Sequence, residues 1–438
     1  MPTILAIAAL FLLATDAVNY ELTLIPGLSV KNIIVYVVGT LIALRMVVTR
    51  QSILVAGPMQ GAFLVLILYA MITWLVAALV IEYPRYDMYL SAIRLKNGLI
   101  DHLIFFLVFL FGVRDADEAL KVVKGILLGV LLANAVTVLD AMGVVNIGFK
   151  IREDGRTSGA IGESNQYAAF IVLFLPATIA AAVASRGIFR LFWLGAALVG
   201  AYALAMTASR GGFVGLALAL AVGAYLYRHL VSYNRVAGWA LGALVVLVVF
   251  IALSPYGGLL AERMIGQSAG GDMTQVSSGR SEIWTKALEV MIENPVTLLT
   301  GYGWDVYDAM PFNYSPHNHY LGMWFSLGLI GVFCSVFLLG TAIARAKRAS
   351  ERAQPPHRGQ LIAFVIGGVA LMAAIFFVDL HNPWHYFWMY AGLVMRVAVS
   401  VNEQPVTATV QANRTTMLKN STGVKRDPFG WVHSGSRP

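Results

Sequence analysis

Apolar runs long enough to cross a hydrocarbon layer recur along almost the whole chain. A core of roughly 30 Å needs about 20 mostly apolar residues, fewer when polar ends snorkel to the surface. Twelve runs qualify: Ile4 to Ala14, Asn32 to Val48, Gly61 to Ile81, Gly98 to Gly112, Val122 to Ala141, Gln166 to Ala184, Leu191 to Ala208, Phe213 to Arg228, Val236 to Leu253, Tyr320 to Ala344, Leu361 to Asp379 and Tyr386 to Ser400. They predict an all-α, polytopic integral membrane protein with about 12 transmembrane helices. The first run is short and has no basic residue before it, so it fits a cleaved signal peptide poorly.

The punctuation between the runs is uneven. Its longest piece, Ser254 to His319 between runs nine and ten, begins with a Gly- and Ser-rich portion, Gly266 to Gly279. A helical stretch, Ser281 to Glu293, follows. There Ile283, Ala287, Met291 and Ile283, Trp284, Leu288 recur at helical spacing, and Pro295 closes the pattern. An amphipathic helix on the outer membrane face fits this. The tail after Asn402 is polar and aperiodic and reads as disordered. Residues 1–400 therefore form a single transmembrane domain with an outer loop at 254–319, and residues 401–438 a tail. No internal repeat points to an inverted-repeat transporter.

Composition agrees: of 438 residues 58% are hydrophobic and 12% charged, where a soluble domain is nearer one quarter charged. Soluble enzymes, disordered scaffolds, collagen-like repeats and disulfide-stapled secreted modules are excluded. Cys334, the single cysteine, can form no internal disulfide. The net charge of +8 reflects the retention of Lys and Arg in cytoplasmic loops, not nucleic-acid binding. With twelve spans and both termini cytoplasmic, 20 of the 31 basic residues fall inside, among them Arg45, Arg114, Arg345, Arg348 and Arg396. Eleven are left outside: Lys31, Arg85, Arg94, Lys96, Lys150, Arg152, Arg156, Arg210, Arg263, Arg280 and Lys286. These oppose the insertion bias, so each either snorkels to lipid phosphates or does something else.

Candidate chemistry gathers on that outer side. Tyr314-Ser315-Pro316-His317-Asn318-His319-Tyr320 runs straight into the tenth span, and a histidine there can take a proton from a hydroxyl near neutral pH. Asn318 could equally cap the helix, with interfacial histidines beside it. Arg156 in Gly155-Arg156-Thr157-Ser158-Gly159, Arg210 in Ser209-Arg210-Gly211-Gly212 and Arg280 in Ser278-Gly279-Arg280-Ser281 each neighbour Gly and Ser. Guanidinium forks match phosphate oxygens in pairs, so these three predict a metal-free site for a multiply charged anion such as pyrophosphate. Weaker alternatives are Asp115 and Asp117, which read as a helix start on the cytoplasmic side, and His381 with His385, whose helical register Pro383 breaks. Asp101 and His102 in the fourth span read as a buried pair or a proton path.

The run from His317-Asn318 through Gly328 to Gly331 resembles the signature of the bacterial O-antigen ligase and polymerase superfamily. Ser209-Arg210-Gly211-Gly212, Arg280 with Trp284 and the Asn294-Pro295 stop, and Gly301-Tyr302-Gly303-Trp304 match it in order, so the resemblance covers roughly residues 150 to 345. The approach Val296 to Thr300 is longer than the pattern leads one to expect. The resemblance implies an enzyme of the bacterial inner membrane with a periplasmic active site. Its donor would be a saccharide on undecaprenyl pyrophosphate and, for the ligase the chain most resembles, its acceptor the lipid A core oligosaccharide. The residues then take these roles: His317 as base, Arg156, Arg210 and Arg280 on the pyrophosphate, and Asn318, His319 and Tyr320 as further substrate contacts, with no metal or cofactor and with inversion at the anomeric carbon. The absence of a large soluble C-terminal domain favours the ligase over a protein O-oligosaccharyltransferase and only softly over an O-antigen polymerase. A polyprenyl-linked-sugar transporter or flippase would carry charges through the depth of its helices instead of on one face.

Overall fold

The computed structural model of the chain describes residues 1–18, 23–50, 57–149, 155–229, 256–262, 279–312, 315–380 and 383–403. Those residues are almost entirely helical. In chain order they form α1 (Pro2–Ala17), α2 (Val30–Thr49), α3 (Pro58–Val76), α4 (Met88–Leu95), α5 (Asp101–Phe111), α6 (Ala116–Ala141), α7 (Ser164–Ala184), α8 (Ile188–Thr207), α9 (Arg210–Leu226), α10 (Tyr256–Ala261), α11 (Arg280–Glu293), α12 (Pro295–Thr300), α13 (His319–Arg352), α14 (His357–Ala374) and α15 (Pro383–Glu403). A small antiparallel hairpin, β1 (Thr23–Ile25) with β2 (Leu28–Ser29), joins α1 to α2.

Local chemistry sets many of the starts. Ser29 and Asn32 close a reciprocal cap on α2, and Asp115 caps α6 by accepting from the Glu118 amide at 2.8 Å. Prolines occupy the first turns of α3 and α12. The acids at 115 and 117 are thus a helix start, and Asp117 reaches His357 at 3.0 Å.

The protein is a polytopic membrane protein. Seven of the described helices are long and apolar enough to cross a membrane, and two shorter apolar helices, α1 and α9, pack among them. The ninth expected span, Val236 to Leu253, and the tail beyond residue 403 lie outside the described residues. One expected boundary moves. The helix that carries the run placed at Gly98 to Gly112 begins ten residues earlier, because α4 runs through a π-helical turn, Lys96–Ile100, into α5. Arg94 and Lys96, expected in an outer loop, therefore lie inside a helix.

The helices that pack most closely are α1 on α6, α14 on α7 and α9, α7 on α8, and α15 on α5. Small residues permit it: a Cβ added at Gly367 of α14 would lie 2.2 Å from the Leu173 carbonyl oxygen of α7, so the two backbones meet as only glycine allows. Apolar residues such as Val48 and Val183 remain exposed on the flanks, where lipid replaces water.

Candidate functional site

The tenth predicted span is one helix with a break in it. Within α13, Gly328 stands at φ 64°, ψ −166°, and the chain that precedes the helix fills the break. The amides of Tyr302 and Gly303 donate to the carbonyls of Phe325 and Ser326 at 2.8 and 2.9 Å, satisfying backbone oxygens that the unwound turn releases. No side chain fits: a Cβ at Gly328 would meet the Leu299 oxygen at 2.0 Å, and one at Gly301 the Ser326 oxygen at 2.4 Å. The two glycine patterns far apart in sequence are thus one piece of structure. The long approach Val296 to Thr300 is the helix α12, held where Trp324 donates to the Leu298 carbonyl at 2.9 Å and Tyr69 to that of Thr300 at 2.7 Å.

The histidine segment sits one helix length before this break. Asn318 caps α13, accepting from the Leu321 amide at 3.1 Å, and is buried, so its amide group is engaged in holding the helix. His317, just before the cap, has φ 48° and is half-buried. Three contacts fix that turn. The Trp284 indole of α11 donates to the Pro316 carbonyl at 2.7 Å, the Ser315 hydroxyl donates to Asp379 at 2.7 Å, and the His319 amide donates to the Ile375 carbonyl at 2.9 Å. Tyr320 donates to the Met372 carbonyl at 2.8 Å, which makes it a strut between α13 and α14.

The arginines approach the same region from two sides. Arg156 is buried, its Nε donating to the Thr207 carbonyl at 2.7 Å and its Nη2 to Asn165 at 2.9 Å. Ser209, which caps α9, donates to the same Asn165 oxygen at 3.0 Å, so Arg156 and the Arg210 turn share one anchor. Arg280 opens α11 one turn before Trp284. The stretch 374–379 joins the groups: Phe377 packs against Gly211, Phe376 meets the Trp284 ring at 5.5 Å, and Ile375 and Asp379 hold the histidine segment.

Beside this junction lies a cavity of about 640 Å³. Of the expected site residues, His319 lines it, tilted against Trp384 with ring centroids 5.1 Å apart. Three cations expected on the outer side are ion-paired, and two of them, Lys31 and Arg94, line the cavity. Lys31 pairs with Asp16, whose other oxygen accepts from Tyr386; Lys96 pairs with Asp101 at 2.8 Å; and Arg94 bridges Asp305 at 3.0 Å and Asp308. Burial pushes the Asp305 carboxyl up to about 6, with Arg94 opposing the shift. Asp101 and His102, expected as a buried pair or a proton path, are both buried. Asp101, fully buried, takes Lys96, Asn32 and Tyr36 as partners, while the His102 ring lies edge-on to His385 at 4.8 Å. His381 lies outside the described residues.

A family model described as O-antigen ligase matches residues 195–336. That segment is an O-antigen ligase family domain. No curated protein matches the chain.

The O-antigen ligase domain begins inside α8 and ends in α13 just past Gly331, so it takes in the Arg210 turn, Arg280, the glycine pair at the break and His317. It spans about a third of the chain and leaves Arg156 and its anchor Asn165 outside. The domain's family implies a transferase. Residues that reading the sequence missed are Asp379, Asn165 and Ser315, together with the carboxylates opposite Arg94. Each is an ordinary polar residue locally and gains meaning only from a partner far along the chain.

Proposed function

We propose that the protein is a metal-independent, inverting glycosyltransferase of the inner membrane that moves O-antigen polysaccharide from undecaprenyl pyrophosphate to the lipid A core oligosaccharide at the periplasmic face, with both termini cytoplasmic. What carries the reading is one juxtaposition within and around the O-antigen ligase domain. His317, the Arg210 turn and the Arg280 helix all rest on the stretch 374–379, at one end of the bundle and beside a large cavity.

In this scheme Arg210 and Arg280 neutralise the pyrophosphate oxygens, while Arg156 holds the Arg210 turn through Asn165 and Thr207 and adds its charge to theirs. An acceptor hydroxyl attacks the anomeric carbon from the side opposite the pyrophosphate. The new C–O bond forms as the bond to the phosphate oxygen breaks. The electron pair leaves on pyrophosphate, and the hydroxyl proton passes to His317. Charge held by arginines makes the leaving group good enough to depart without a general acid. The left-handed turn at His317, pinned by Trp284 and by Ser315 with Asp379, fixes the backbone that carries the imidazole.

The test is to incubate the purified protein with lipid-linked polysaccharide and rough lipopolysaccharide and to follow the joined product, with and without EDTA. Joining that survives chelation is the expected result. Elongation of the lipid-linked chain without joining would make the protein a polymerase, and loss of joining restored by magnesium would require a metal in the mechanism.

A further inference from the structure

We propose that the cavity of about 640 Å³ is the subsite for an uncharged sugar ring of the acceptor, gripped by Tyr307, Asp308 and Trp384. The proposal rests on the transfer reaction above and assigns a ligand to a space which that reaction leaves unassigned.

Charge is the first argument. The wall carries four carboxylates, Asp16, Asp305, Asp308 and Asp379, against two cations, Lys31 and Arg94, and both cations are already paired with carboxylates of the same wall. Arg156, Arg210 and Arg280 do not line it. A diphosphate entering here would meet an excess of like charge, which disfavours it strongly in a partly desolvated space. A neutral ring bearing hydroxyls would meet acceptors for those hydroxyls. The volume lies within the range of about 300–1,000 Å³ typical of small-molecule sites, and aromatic walls with a few fixed polar groups are the usual lining of such a site.

Tyr307 gives the second, independent argument. The residue is 7% exposed and lines the cavity, and its hydroxyl has no hydrogen-bond partner among the described residues. Burying a hydroxyl without a partner is costly, and the oxygen is closed to water in this structure, so a shift of the ring that let a ligand hydroxyl reach it would recover that cost. The ring is held by Phe312 and Phe325, with centroids 4.7 and 5.0 Å away. Asp308, more exposed and ion-paired with Arg94, adds an acceptor, and Trp384, largely buried, lines the wall beside His319.

Geometry gives the third. Ser315, Pro316 and His319 belong to the cavity wall, so the histidine turn borders it, while the arginine group lies off that wall. Displacement with inversion needs nucleophile and leaving group on opposite sides of the anomeric carbon. A cavity that touches the histidine turn and excludes the arginines is on the nucleophile's side.

Two conservative variants test this. Tyr307→Phe removes only the hydroxyl, and Asp308→Asn removes only the charge. In each, the KM for acceptor should rise about tenfold while the KM for lipid-linked donor and the thermal midpoint stay unchanged. Any other pattern overturns the assignment: a rise in donor KM, no change in either, or for Tyr307→Phe a lower midpoint with unaltered kinetics. A binding arm needs no turnover. A neutral hexose oligosaccharide should change the tryptophan fluorescence of the wild-type protein saturably, and the change should persist in excess inorganic pyrophosphate and weaken in Tyr307→Phe. Competition by pyrophosphate, or no saturable change, overturns the subsite. If the wild-type protein joins nothing, the transferase reading falls, and the fluorescence titration still decides the cavity.

Discussion

The basic residues at the two ends of the bundle do different work. At one end three of them close helices: Arg45 and Arg396 donate to the carbonyls of Phe111 and Leu110 at the end of α5, and Arg358 donates to that of Ala353 at the end of α13. At the other end Lys31, Arg94 and Lys96 meet carboxylates, Arg94 across 211 and 214 residues of chain, and Arg156 clamps a carbonyl and an amide from two different helices. A cation that caps its own or a neighbouring helix completes secondary structure, and its loss should be felt as stability. One held by distant tertiary partners around a cavity has a fixed position, which only a ligand or a reaction would need. The difference divides the chain's arginines into those whose removal should weaken the fold and those whose removal should stop chemistry.

The sharpest way to break that division is at His317, the proposed base. His317→Ala removes the base, and His317→Asn does so while keeping a residue that tolerates the φ of 48° found there. Both should lose activity by on the order of a hundredfold or more while remaining folded, the usual scale for removing a general base. Near-normal joining by either variant, with the protein inserted, would move the base elsewhere, and His319 on the cavity wall would be next in line.

Next come the arginines, where Lys tests the fork separately from the charge. Arg210→Lys and Arg280→Lys should each lose about tenfold or more in kcat/KM, equivalent to about 1.4 kcal/mol of transition-state stabilisation, with little change in thermal midpoint. Arg156→Lys should lose activity and also melt earlier, because its fork ties Thr207 to Asn165 and through Asn165 to the cap of α9. If Arg156→Lys alone matters, the arginines hold the structure and not the phosphate.

How much of this is legible in the sequence follows from how far apart the partners lie. The spans are readable because lipid demands long apolar runs, and the histidine motif because its residues are neighbours. The glycines at 301, 303, 328 and 331 are readable as a pattern, whereas their reason, a loop entering a broken helix, needs the structure. Arg94 cannot be assigned from sequence, since its carboxylates lie 211 and 214 residues away and an unpaired arginine beside a span reads equally as a lipid contact. The helix that carries the fourth run also reads too short. Two basic residues look like the end of a membrane helix unless the acids that neutralise them can be seen. Tyr307 is invisible altogether, as its unpartnered hydroxyl is a property of its surroundings.

At the opposite end, Arg396→Met should change stability alone. The substitution removes a donor from the C-terminus of α5 at a half-buried position. The expected loss is about 1 kcal/mol, which in a protein of this size lowers the thermal midpoint by roughly 2 °C. Activity per folded molecule should be unchanged. A drop in kcat/KM comparable to that of Arg210→Lys would erase the distinction between the ends.

The smallest effect is expected at Arg85, and it controls all the others. Arg85 lies on the cavity end, in the short loop after α3, and this loop is fastened to the glycine segment where Tyr83 and Tyr86 donate to the carbonyls of Tyr302 and Trp304 at 3.1 and 2.6 Å. It therefore shares the electrostatic surroundings of the site, yet its side chain is exposed beside Pro84. A cation in that position needs only charge and a flexible stem, which Lys also supplies. Arg85→Lys should leave transfer within about twofold of the wild-type rate and the midpoint unmoved. If it instead falls with Arg210→Lys and Arg280→Lys at matched expression, fork geometry is not what distinguishes them. The outer arginines would then act as a diffuse positive field, and the pyrophosphate clamp would have to be abandoned.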